Sequence, residues 1–548
     1  MPSWMRLLVF FSVFAAACSS SPNGGNPDGG GPDGGSCASS VAPAPGLVIT
    51  DRGPVQGTSD GSSWGYRAIP YAAPPVGALR WQPPQPHDCW QAPLAASVFG
   101  NMCVQLDANN NVVGSEDCLT LNVWTPSAAT ATSALPVLFF VHGGGNVQGS
   151  SSENRNGVFL YDGAALAAQT NAVVVTFNYR LGPFGWLAHA AFAAESAEHA
   201  TGNYGTLDQL AALRFVQRNI AAFGGDPMRV LLFGESAGAV NVCALVASPL
   251  GKGLFAAALM ESGGCVAAPS ATAQTFADGW AQKAGCTSGD VAACLRALDA
   301  GSVEKVIPES ADIAAAKQGD YQPNADGWVL TGKPQQVIAA GQHNHVPFVV
   351  GSNANETGQV IVAQYPTGMT TTQYQAAILA YAGGSQTLAD TIAQHYPPSD
   401  YNNDPRAAFI ALSSDAKFIC TARYVARAVV AAQSEPVYRY YYTHVLDGTP
   451  LGAAVKASGA FHGQELLPLF RHMMIAGYTP SAGEAQLSDA MDGYWSRLTA
   501  GDPNGGGAVT WPRYDAAGDA FLQLDDTVQA GAGVRSAQCD FWDGVLGR

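Results

Sequence analysis

Short apolar segments recur along the chain, and polar turns separate them. Continuous apolar runs of this kind are typical of strands that are buried on both faces of a mainly parallel sheet. Between two of the runs, large apolar residues recur at roughly helical spacing from residue 208 to residue 220. This alternation predicts an α/β fold in which the chemistry lies at the carboxyl ends of the strands. The predicted strands are residues 136–141, 172–177, 230–233, 257–260, 346–350 and 437–442.

One predicted strand leads directly into a motif for a nucleophile. Residues 234–238 read Gly-Glu-Ser-Ala-Gly and stand between the strand 230–233 and a run of small, helix-prone residues. A serine at such a sharp strand-to-helix turn has its hydroxyl exposed above the sheet. Earlier in the chain, the strand 136–141 leads into His-Gly-Gly-Gly at 142–145, which has the form of an oxyanion-hole loop. The two motifs and their flanking elements predict an α/β-hydrolase fold with Ser236 as the nucleophile.

The composition fits a large globular protein. The 548 residues are 47% apolar and only 12% charged, so the chain has enough apolar surface for a buried core. The 26 basic and 42 acidic residues give a formal net charge of −16. A chain this acidic is repelled by nucleic acids and by anionic membrane surfaces, which argues against both as partners.

The N-terminal residues predict export. An apolar stretch from residue 7 to residue 17 is too short to span a bilayer but suits the core of a signal peptide. The small residues before Cys18 resemble a bacterial lipobox, in which the cysteine carries a lipid; ordinary signal cleavage nearby is the alternative. Lipidation predicts an outer-membrane or cell-surface lipoprotein with a membrane tether, and ordinary cleavage predicts a periplasmic or secreted protein. We interpret residues 1–18 as a lipoprotein-type signal peptide, residues 19–45 as a flexible tether rich in Gly, Pro, Ser, Asn and Asp, and residues 46–548 as the catalytic domain.

The remaining cysteines predict disulfides. Of the eleven cysteines, ten remain if Cys18 is lipidated, and an even number is expected in an oxidising compartment. The alternative for Cys243 is a buried free thiol. No Cys-x-x-Cys motif is present, and we expect neither a metal nor a cofactor. The predicted pairs are Cys103–Cys118, Cys286–Cys294 and Cys420–Cys539, with Cys37–Cys89 and Cys243–Cys265 for the remaining four cysteines.

Several further motifs resemble those of the type-B carboxylesterase family, which includes carboxylesterases, cholinesterases and related lipases. They occur in the family's order and extend nearly end to end from residue 47. The resemblance implies the α/β-hydrolase fold, with a large, mostly parallel central sheet flanked by helices, and the hydrolysis of carboxylic esters. Three of the predicted disulfides also resemble disulfides of the family, namely Cys103–Cys118, Cys286–Cys294 and Cys420–Cys539. The matching segments are residues 69–77, 115–123, 178–182, 202–209 and 223–238.

The resemblance also implies the rest of the catalytic machinery, in the order nucleophile, acid, histidine. His462 lies in a loop that resembles the family's histidine loop, and Glu356, which follows the strand 346–350, matches the family's acid. His444 is the alternative base, because geometry rather than sequence position decides the role. The implied oxyanion hole consists of the backbone amides of Gly144, Gly145 and Ala237. Glu235, Ser262 and Glu465 match a hydrogen-bonded set around the catalytic histidine, and the alternative for them is an ordinary buried network without catalytic effect.

Together these residues predict a serine esterase that acts through an acyl-serine intermediate. We expect short-acyl or broad-range carboxylic esters as substrates. One alternative is a lipase for longer-chain lipid esters, although no apolar lid is evident. Another is a non-catalytic binding or adhesion protein, against which the intact set of Ser236, Glu356 and His462 argues. The loop 104–117 has no aromatic residue, so a choline-like cation lacks a face partner and a dedicated cholinesterase is not expected.

Overall fold

An eleven-stranded sheet crosses the computed structural model, which describes Cys37 and residues 41–309, 311–315 and 319–548. The strands of this sheet, numbered in chain order, are β1 (Thr58–Ser59), β2 (Ser63–Pro70), β3 (Thr120–Pro126), β4 (Leu135–Val141), β5 (Val173–Phe177), β6 (Gly225–Glu235), β7 (Ala257–Glu261), β8 (Phe348–Asn353), β9 (Val437–Tyr442), β10 (Ala520–Leu524) and β11 (Gln529–Ala532). Small separate sheets are formed by Leu47–Ile49, Pro54–Gln56 and Leu94–Ala95, by Gln105–Leu106 and Val112–Val113, by Asn154–Arg155 and Val158–Phe159, and by Ala268–Pro269 and Asn324–Ala325.

The central part of the large sheet is parallel and its edges are antiparallel. The strands follow the order β11-β10-β9-β8-β7-β6-β4-β5-β3-β2-β1. Every neighbouring pair from β10 to β5 is parallel, whereas β11 at one edge and β3, β2 and β1 at the other pair antiparallel. The register places Gly234 beside Val141, and Glu261 beside both Glu235 and Gly351. The carboxyl ends of β4, β6, β7 and β8 therefore lie side by side, and this edge carries the candidate site.

Helices cover both faces of the sheet. They are α1 (Ala164–Thr170), α2 (Gly182–Trp186), α3 (Ala190–Ala193), α4 (Tyr204–Asn219), α5 (Ala237–Ala247), α6 (Ser270–Lys283), α7 (Val291–Arg296), α8 (Ala300–Lys305), α9 (Pro334–Ala339), α10 (Gly358–Gln364), α11 (Thr371–Tyr381), α12 (Gln386–His395), α13 (Pro405–Ser414), α14 (Cys420–Ala432), α15 (Ala453–Ala457), α16 (Leu466–Leu469), α17 (Ala482–Leu498) and α18 (Ser536–Leu546). A π-helical turn, Asp415–Ile419, joins α13 to α14.

Successive side chains of the central strands enter two different hydrophobic cores, one on each face of the sheet. Phe139 on β4 belongs to the first core, which also contains Leu213 of α4. The next residue, Phe140, belongs to the second core, together with Trp495 of α17. Because both faces are covered, the buried middle of these strands is continuously apolar rather than apolar at alternate positions, as in residues 230–233 of β6.

All the predicted strands occur, although several of their ends differ. β6 is much longer than the predicted strand 230–233, and β8 begins later and extends further than the predicted strand 346–350. The extension of β8 is polar, but Gly351–Asn353 remain paired with β9. The helix predicted from 208 to 220 is α4, which begins earlier. The strands β1 to β3, β10 and β11, at or near the two edges of the sheet, contain at most three apolar residues in a row and are absent from the prediction.

Five disulfides link the described residues, and they are the five predicted pairs. Cys243 is bonded rather than a free thiol. The longest loop is closed by Cys420–Cys539, which joins the start of α14 to α18. The other pairs are Cys37–Cys89, Cys103–Cys118 and Cys286–Cys294.

The predicted signal peptide, residues 1–18, and its Cys18 lie outside the described residues, as does most of the predicted tether, residues 19–45. Both assignments stay predictions. Within the part of the chain that the structure describes, no helix has the length and apolar composition needed to cross a membrane.

Candidate active site

Ser236 lies at the turn between β6 and α5. Its backbone has φ 59° and ψ −122°, a conformation that residues other than glycine rarely adopt and that is held at functional sites by the surrounding structure. Gly238 makes the turn possible, because a Cβ there would stand only 2.0 Å from the carbonyl oxygen of Val141 on β4. Strand, turn and helix thus place the Ser236 side chain at the carboxyl edge of the sheet.

The glycine loop after β4 lies beside this turn. Gly144 has φ 102°, and a Cβ on it would stand 2.0 Å from the carbonyl oxygen of Gln148. Gly144, Gly145 and Ala237 line the same cavity as Ser236. Among the described residues, the backbone amides of these three residues donate no hydrogen bond to protein. Free amides beside a serine are the donors that a developing oxyanion needs.

His462 and Glu356 form a hydrogen-bonded pair. His462 Nδ1 lies 2.7 Å from Glu356 Oε2, and the two backbones are also bonded, from His462 N to Glu356 O at 3.1 Å. Glu356 is fully buried, and its Oε1 accepts a hydrogen bond of 2.7 Å from the backbone amide of Asn353. Because both carboxylate oxygens act as acceptors, Nδ1 of His462 carries the hydrogen and Nε2 keeps its lone pair.

His462 and Ser236 line one cavity, but no hydrogen bond joins their side chains among the described residues. His462 Nε2 instead lies 3.1 Å from Glu235 Oε1. Catalytic hydrogen bonds are often long or poorly aligned before substrate binds. The structure therefore brings the three predicted residues together, with the histidine–glutamate contact formed and the serine–histidine contact open.

Three further carboxyl groups are buried near His462. Burial raises the pKa of Glu261 to about 8. Burial also raises the pKa of Glu235 and of Glu465 well above the usual range, and the negative charges of neighbouring glutamates add to the effect. Burial therefore favours the neutral form of all three groups, including the carboxyl beside Nε2 of His462.

The predicted set of Glu235, Ser262 and Glu465 surrounds the site, but no hydrogen bond joins its members among the described residues. Ser262 lines the Ser236 cavity, and its hydroxyl has no hydrogen-bond partner there. Glu465 Oε2 accepts a hydrogen bond from Asn353 Nδ2. A role for this set in catalysis stays a prediction.

Asn353 is a site residue that the sequence analysis did not identify. Its backbone amide donates the hydrogen bond to Glu356 described above. Its side-chain Nδ2 donates to the carbonyl oxygen of Phe461 at 2.8 Å and to Glu465. Asn353 thus ties the turn that carries Glu356 to the loop that carries His462. A polar side chain at the carboxyl end of a buried strand is the signal that could have revealed it.

Two cavities meet at His462. The first has a volume of about 500 Å³ and contains Ser236 and the glycine loop, with many polar side chains in its wall. The second has a volume of about 650 Å³, and its wall is mainly apolar and comes largely from residues 446–478. Glu235, His462 and Arg155 line both cavities, whereas Ser236 and the glycine loop line only the first.

His444, the alternative base, lies in neither of these cavities. Its Nε2 lies 3.2 Å from Glu484 Oε1, and its Nδ1 lies 3.1 Å from Asp526 Oδ1. The geometry therefore favours His462 as the partner of Ser236.

Comparison with known proteins identifies the family of this chain. The family model described as the carboxylesterase family matches residues 44–542. The chain belongs to this family. It is 33% identical to a fatty acyl-CoA hydrolase precursor, medium chain, from Anas platyrhynchos, over 90% of this chain and 91% of the relative. It is 36% identical to fumonisin B1 esterase from Sphingopyxis macrogoltabida, over 88% of this chain and 87% of the relative. A solved PNB esterase structure superposes with a TM-score of 0.76 at 32% identity, covering 91% of this chain and all of that one.

This carboxylesterase therefore has the α/β-hydrolase fold and is a carboxylic ester hydrolase. The family, the fold and the reaction class expected from the sequence motifs are confirmed.

Proposed function

We propose that this carboxylesterase cleaves short-acyl or broad-range carboxylic esters through an acyl-serine intermediate. The observation that carries the proposal is the His462–Glu356 pair, which faces the cavity that holds Ser236 and three free backbone amides. Each component of nucleophilic acyl transfer has a candidate there: Ser236 is the nucleophile, His462 the base and Glu356 the group that orients the base.

In the first step, Ser236 Oγ attacks the ester carbonyl carbon while its proton passes to His462 Nε2. The Nδ1 hydrogen remains bonded to Glu356, whose charge stabilises the imidazolium that forms. The carbonyl oxygen becomes an oxyanion and accepts hydrogen bonds from the amides of Gly144, Gly145 and Ala237. The loss of one such donor costs about 10²–10³ in rate in comparable enzymes.

In the second step, the carbon–oxygen bond to the alcohol breaks and His462 returns the proton to the departing alkoxide. Water then attacks the acyl-serine, again with His462 as the base, and the acid product and free Ser236 result. Between turnovers, Nε2 of His462 lies beside the carboxyl of Glu235, whose pKa is raised by burial.

The two cavities assign the two sides of the ester. His462 gives a proton to the leaving alcohol, so the cavity that contains His462 but neither Ser236 nor the glycine loop suits the alcohol group. The acyl group then occupies the cavity around Ser236. Its wall mixes polar residues such as Gln148, Asp312 and Lys417 with apolar ones such as Val240 and Phe418. A mixed wall of this kind suits a short acyl group, whose alkyl part needs only a few apolar contacts.

Hydrolysis of p-nitrophenyl esters of increasing acyl length tests the proposal. We expect kcat/KM to be highest for acetate to butyrate, and Ser236→Ala to lower it by at least about 10³-fold. Ser262→Ala is the matched control, because it removes a hydroxyl from the same cavity and should change kcat/KM less than about tenfold.

Equal activity of the wild type and Ser236→Ala would refute the acyl-serine mechanism. A rate that rises with acyl length and increases sharply when the substrate forms droplets would instead identify a lipase for longer-chain lipid esters.

We also infer that the protein is exported, with Cys18 as a lipid-carrying membrane tether. The five disulfides among the described residues support an oxidising compartment. Mass spectrometry of the mature N-terminus should find a diacylglyceryl group on Cys18. An unmodified N-terminus beyond residue 18 would indicate a periplasmic or secreted protein instead.

A further inference from the structure

His444 is buried away from the two cavities at His462, where three segments of the chain meet. His444 and Asp447 belong to the loop after β9, Asp525 and Asp526 to the turn after β10, and Glu484 to the first turn of α17. The His444 side chain is only 2% exposed. The cluster combines an imidazole with carboxylates, which are both common ligands of transition metals.

Glu484 fixes the orientation of the His444 ring. Its Oε1 lies 3.2 Å from His444 Nε2 and also accepts hydrogen bonds from the Tyr478 hydroxyl and from the Asp447 amide. Its Oε2 accepts a bond of 2.7 Å from the Ser481 amide. Because Glu484 is surrounded by donors, Nε2 of His444 carries the hydrogen. A carboxylate that accepts from one ring nitrogen in this way commonly orients a metal-binding histidine.

The other ring nitrogen of His444 points at carboxylates. His444 Nδ1 lies 3.1 Å from Asp526 Oδ1 and 3.4 Å from Asp525 Oδ1, but neither contact is aligned as a hydrogen bond; only the contact with Glu484 is. A buried imidazole therefore directs an unbonded nitrogen into a group of acidic side chains. One ligand atom each from His444, Asp447 and Asp526 lies within 4.8 Å of the other two.

The charges around His444 are not balanced. Asp447, Glu484, Asp525 and Asp526 place four carboxyl groups around one imidazole, and within the described ranges no lysine or arginine forms an ion pair with any of them. Even a protonated His444 would leave most of this negative charge without a partner. A bound cation would supply the missing positive charge.

We propose that His444 Nδ1 and the carboxylates of Asp447 and Asp526 bind a divalent transition-metal cation, and that Zn²⁺ fits this ligand set. Ligands placed 2.0–2.1 Å from a tetrahedral zinc ion stand about 3.4 Å apart. The separation of 3.1 Å between His444 Nδ1 and Asp526 Oδ1 is close to this value, and the ligand atom of Asp447 lies within 4.8 Å of both. Imidazole and carboxylate together suit Zn²⁺ better than Ca²⁺ or Mg²⁺, which prefer oxygen ligands alone.

The position of the site gives the cation a structural role. It would fasten the loop after β9 to the turn after β10. The same loop carries Leu446 and Leu451, which line the apolar cavity beside His462. Gln464 Nε2 also donates to the carbonyl oxygen of His444 at 3.0 Å, which connects the cluster to the loop of the catalytic histidine. The cation therefore stabilises one wall of the cavity assigned to the alcohol group.

Calorimetric titration of the chelator-treated full-length enzyme with Zn²⁺ tests the proposal. We expect one saturable site per chain and a higher melting temperature with Zn²⁺ bound. Asp526→Asn and Asp447→Asn should each weaken binding at least tenfold and reduce the increase in melting temperature. Asp400→Asn removes the same charge from an exposed site elsewhere and should leave both measurements unchanged.

Zn²⁺ bound at the catalytic histidine must be distinguished from this site. The His462→Gln variant should still bind one Zn²⁺ in the calorimetric titration. Without metal, the Asp526→Asn variant should melt at the same temperature as the metal-free wild type. The proposal is wrong if no saturable binding occurs, if Asp526→Asn and Asp400→Asn bind Zn²⁺ equally well, or if only His462→Gln loses the site. Ca²⁺ binding at the same residues with equal or higher affinity would overturn the choice of metal.

Discussion

His462 and His444 each have one ring nitrogen hydrogen-bonded to a buried glutamate. His462 is held through Nδ1 by Glu356 at 2.7 Å, and His444 is held through Nε2 by Glu484 at 3.2 Å. Their free nitrogens meet different surroundings. That of His462 opens into the cavity of Ser236 and has a deeply buried carboxyl beside it, whereas that of His444 faces aspartates whose side chains are 34% and 47% exposed.

The difference between the two histidines lies in the burial of the neighbouring acids. Burial raises the pKa of Glu235 and so favours its neutral form, which places no opposite charge beside the imidazole that accepts a proton from a hydroxyl. The aspartates beside His444 are partly open to water, and carboxyl groups grouped around an imidazole in this way can bind a cation. A similar histidine–glutamate pair thus serves as a base in one place and as a candidate metal ligand in the other.

The largest expected effect is the difference in activity between two variants that carry the same substitution, one at each histidine. His462→Gln removes the base and should lower kcat for a p-nitrophenyl ester by at least about 10⁴-fold, because the residues of such a triad act as a unit. His444→Gln should leave kcat within about threefold of the wild type, since this side chain lines neither cavity. Steady-state kinetics and thermal melting of both variants measure the contrast.

His444→Gln should instead lower the melting temperature, because it removes a buried, hydrogen-bonded ring. The contrast between the two histidines is wrong if the His444→Gln variant, shown by circular dichroism to be folded, loses activity to the same extent as His462→Gln.

A smaller effect is expected at Glu235, which lies 3.1 Å from His462 Nε2. Burial and the charges of Glu356 and Glu261 raise the pKa of Glu235, which favours its neutral form, and Glu235→Gln mimics that form. We expect kcat/KM at pH 7 within about tenfold of the wild type. The pH profiles should separate only on the alkaline side, where the wild-type carboxyl ionises and makes the imidazole more basic.

Profiles of kcat/KM from pH 5 to pH 10 measure this separation. A hundredfold loss at pH 7, or a separation on the acidic side, would mean that Glu235 is ionised in the working enzyme and that burial does not distinguish the two histidines in the way described.

Sequence alone predicts the parts of this site that local chain geometry determines. Ser236 follows a continuous apolar strand and a turn in which Gly238 is required by the approach of β4. Such features leave a local pattern. The family motifs add Glu356 and His462, which are 106 residues apart in the chain and meet only in the fold.

Other features depend on contacts between distant segments and leave no local pattern. Asn353 joins two loops, but in the sequence it is one polar residue after an apolar strand. The cluster around His444 collects side chains from the loop after β9, the turn after β10 and α17. The antiparallel edge strands are also unpredicted, because a strand such as β1, with only Thr58 and Ser59, contains no apolar run.

The smallest effect concerns Glu304, a buried carboxyl with no histidine beside it. Burial raises its pKa from 4.5 to about 8, and its Oε2 has no hydrogen bond among the described residues. The unfolded chain releases this proton at lower pH than the folded protein, so its contribution to stability is fully present below about pH 4.5 and is lost as the pH rises through 8.

Glu304→Gln has no proton to lose. We therefore expect its melting temperature relative to the wild type to increase from pH 5 to pH 9 by a few degrees, with kcat unchanged. Thermal melting of both proteins across this range measures the change. A difference that is constant with pH would show that Glu304 is already ionised in the folded protein, as is expected of an acid whose charge is balanced by a protonated imidazole.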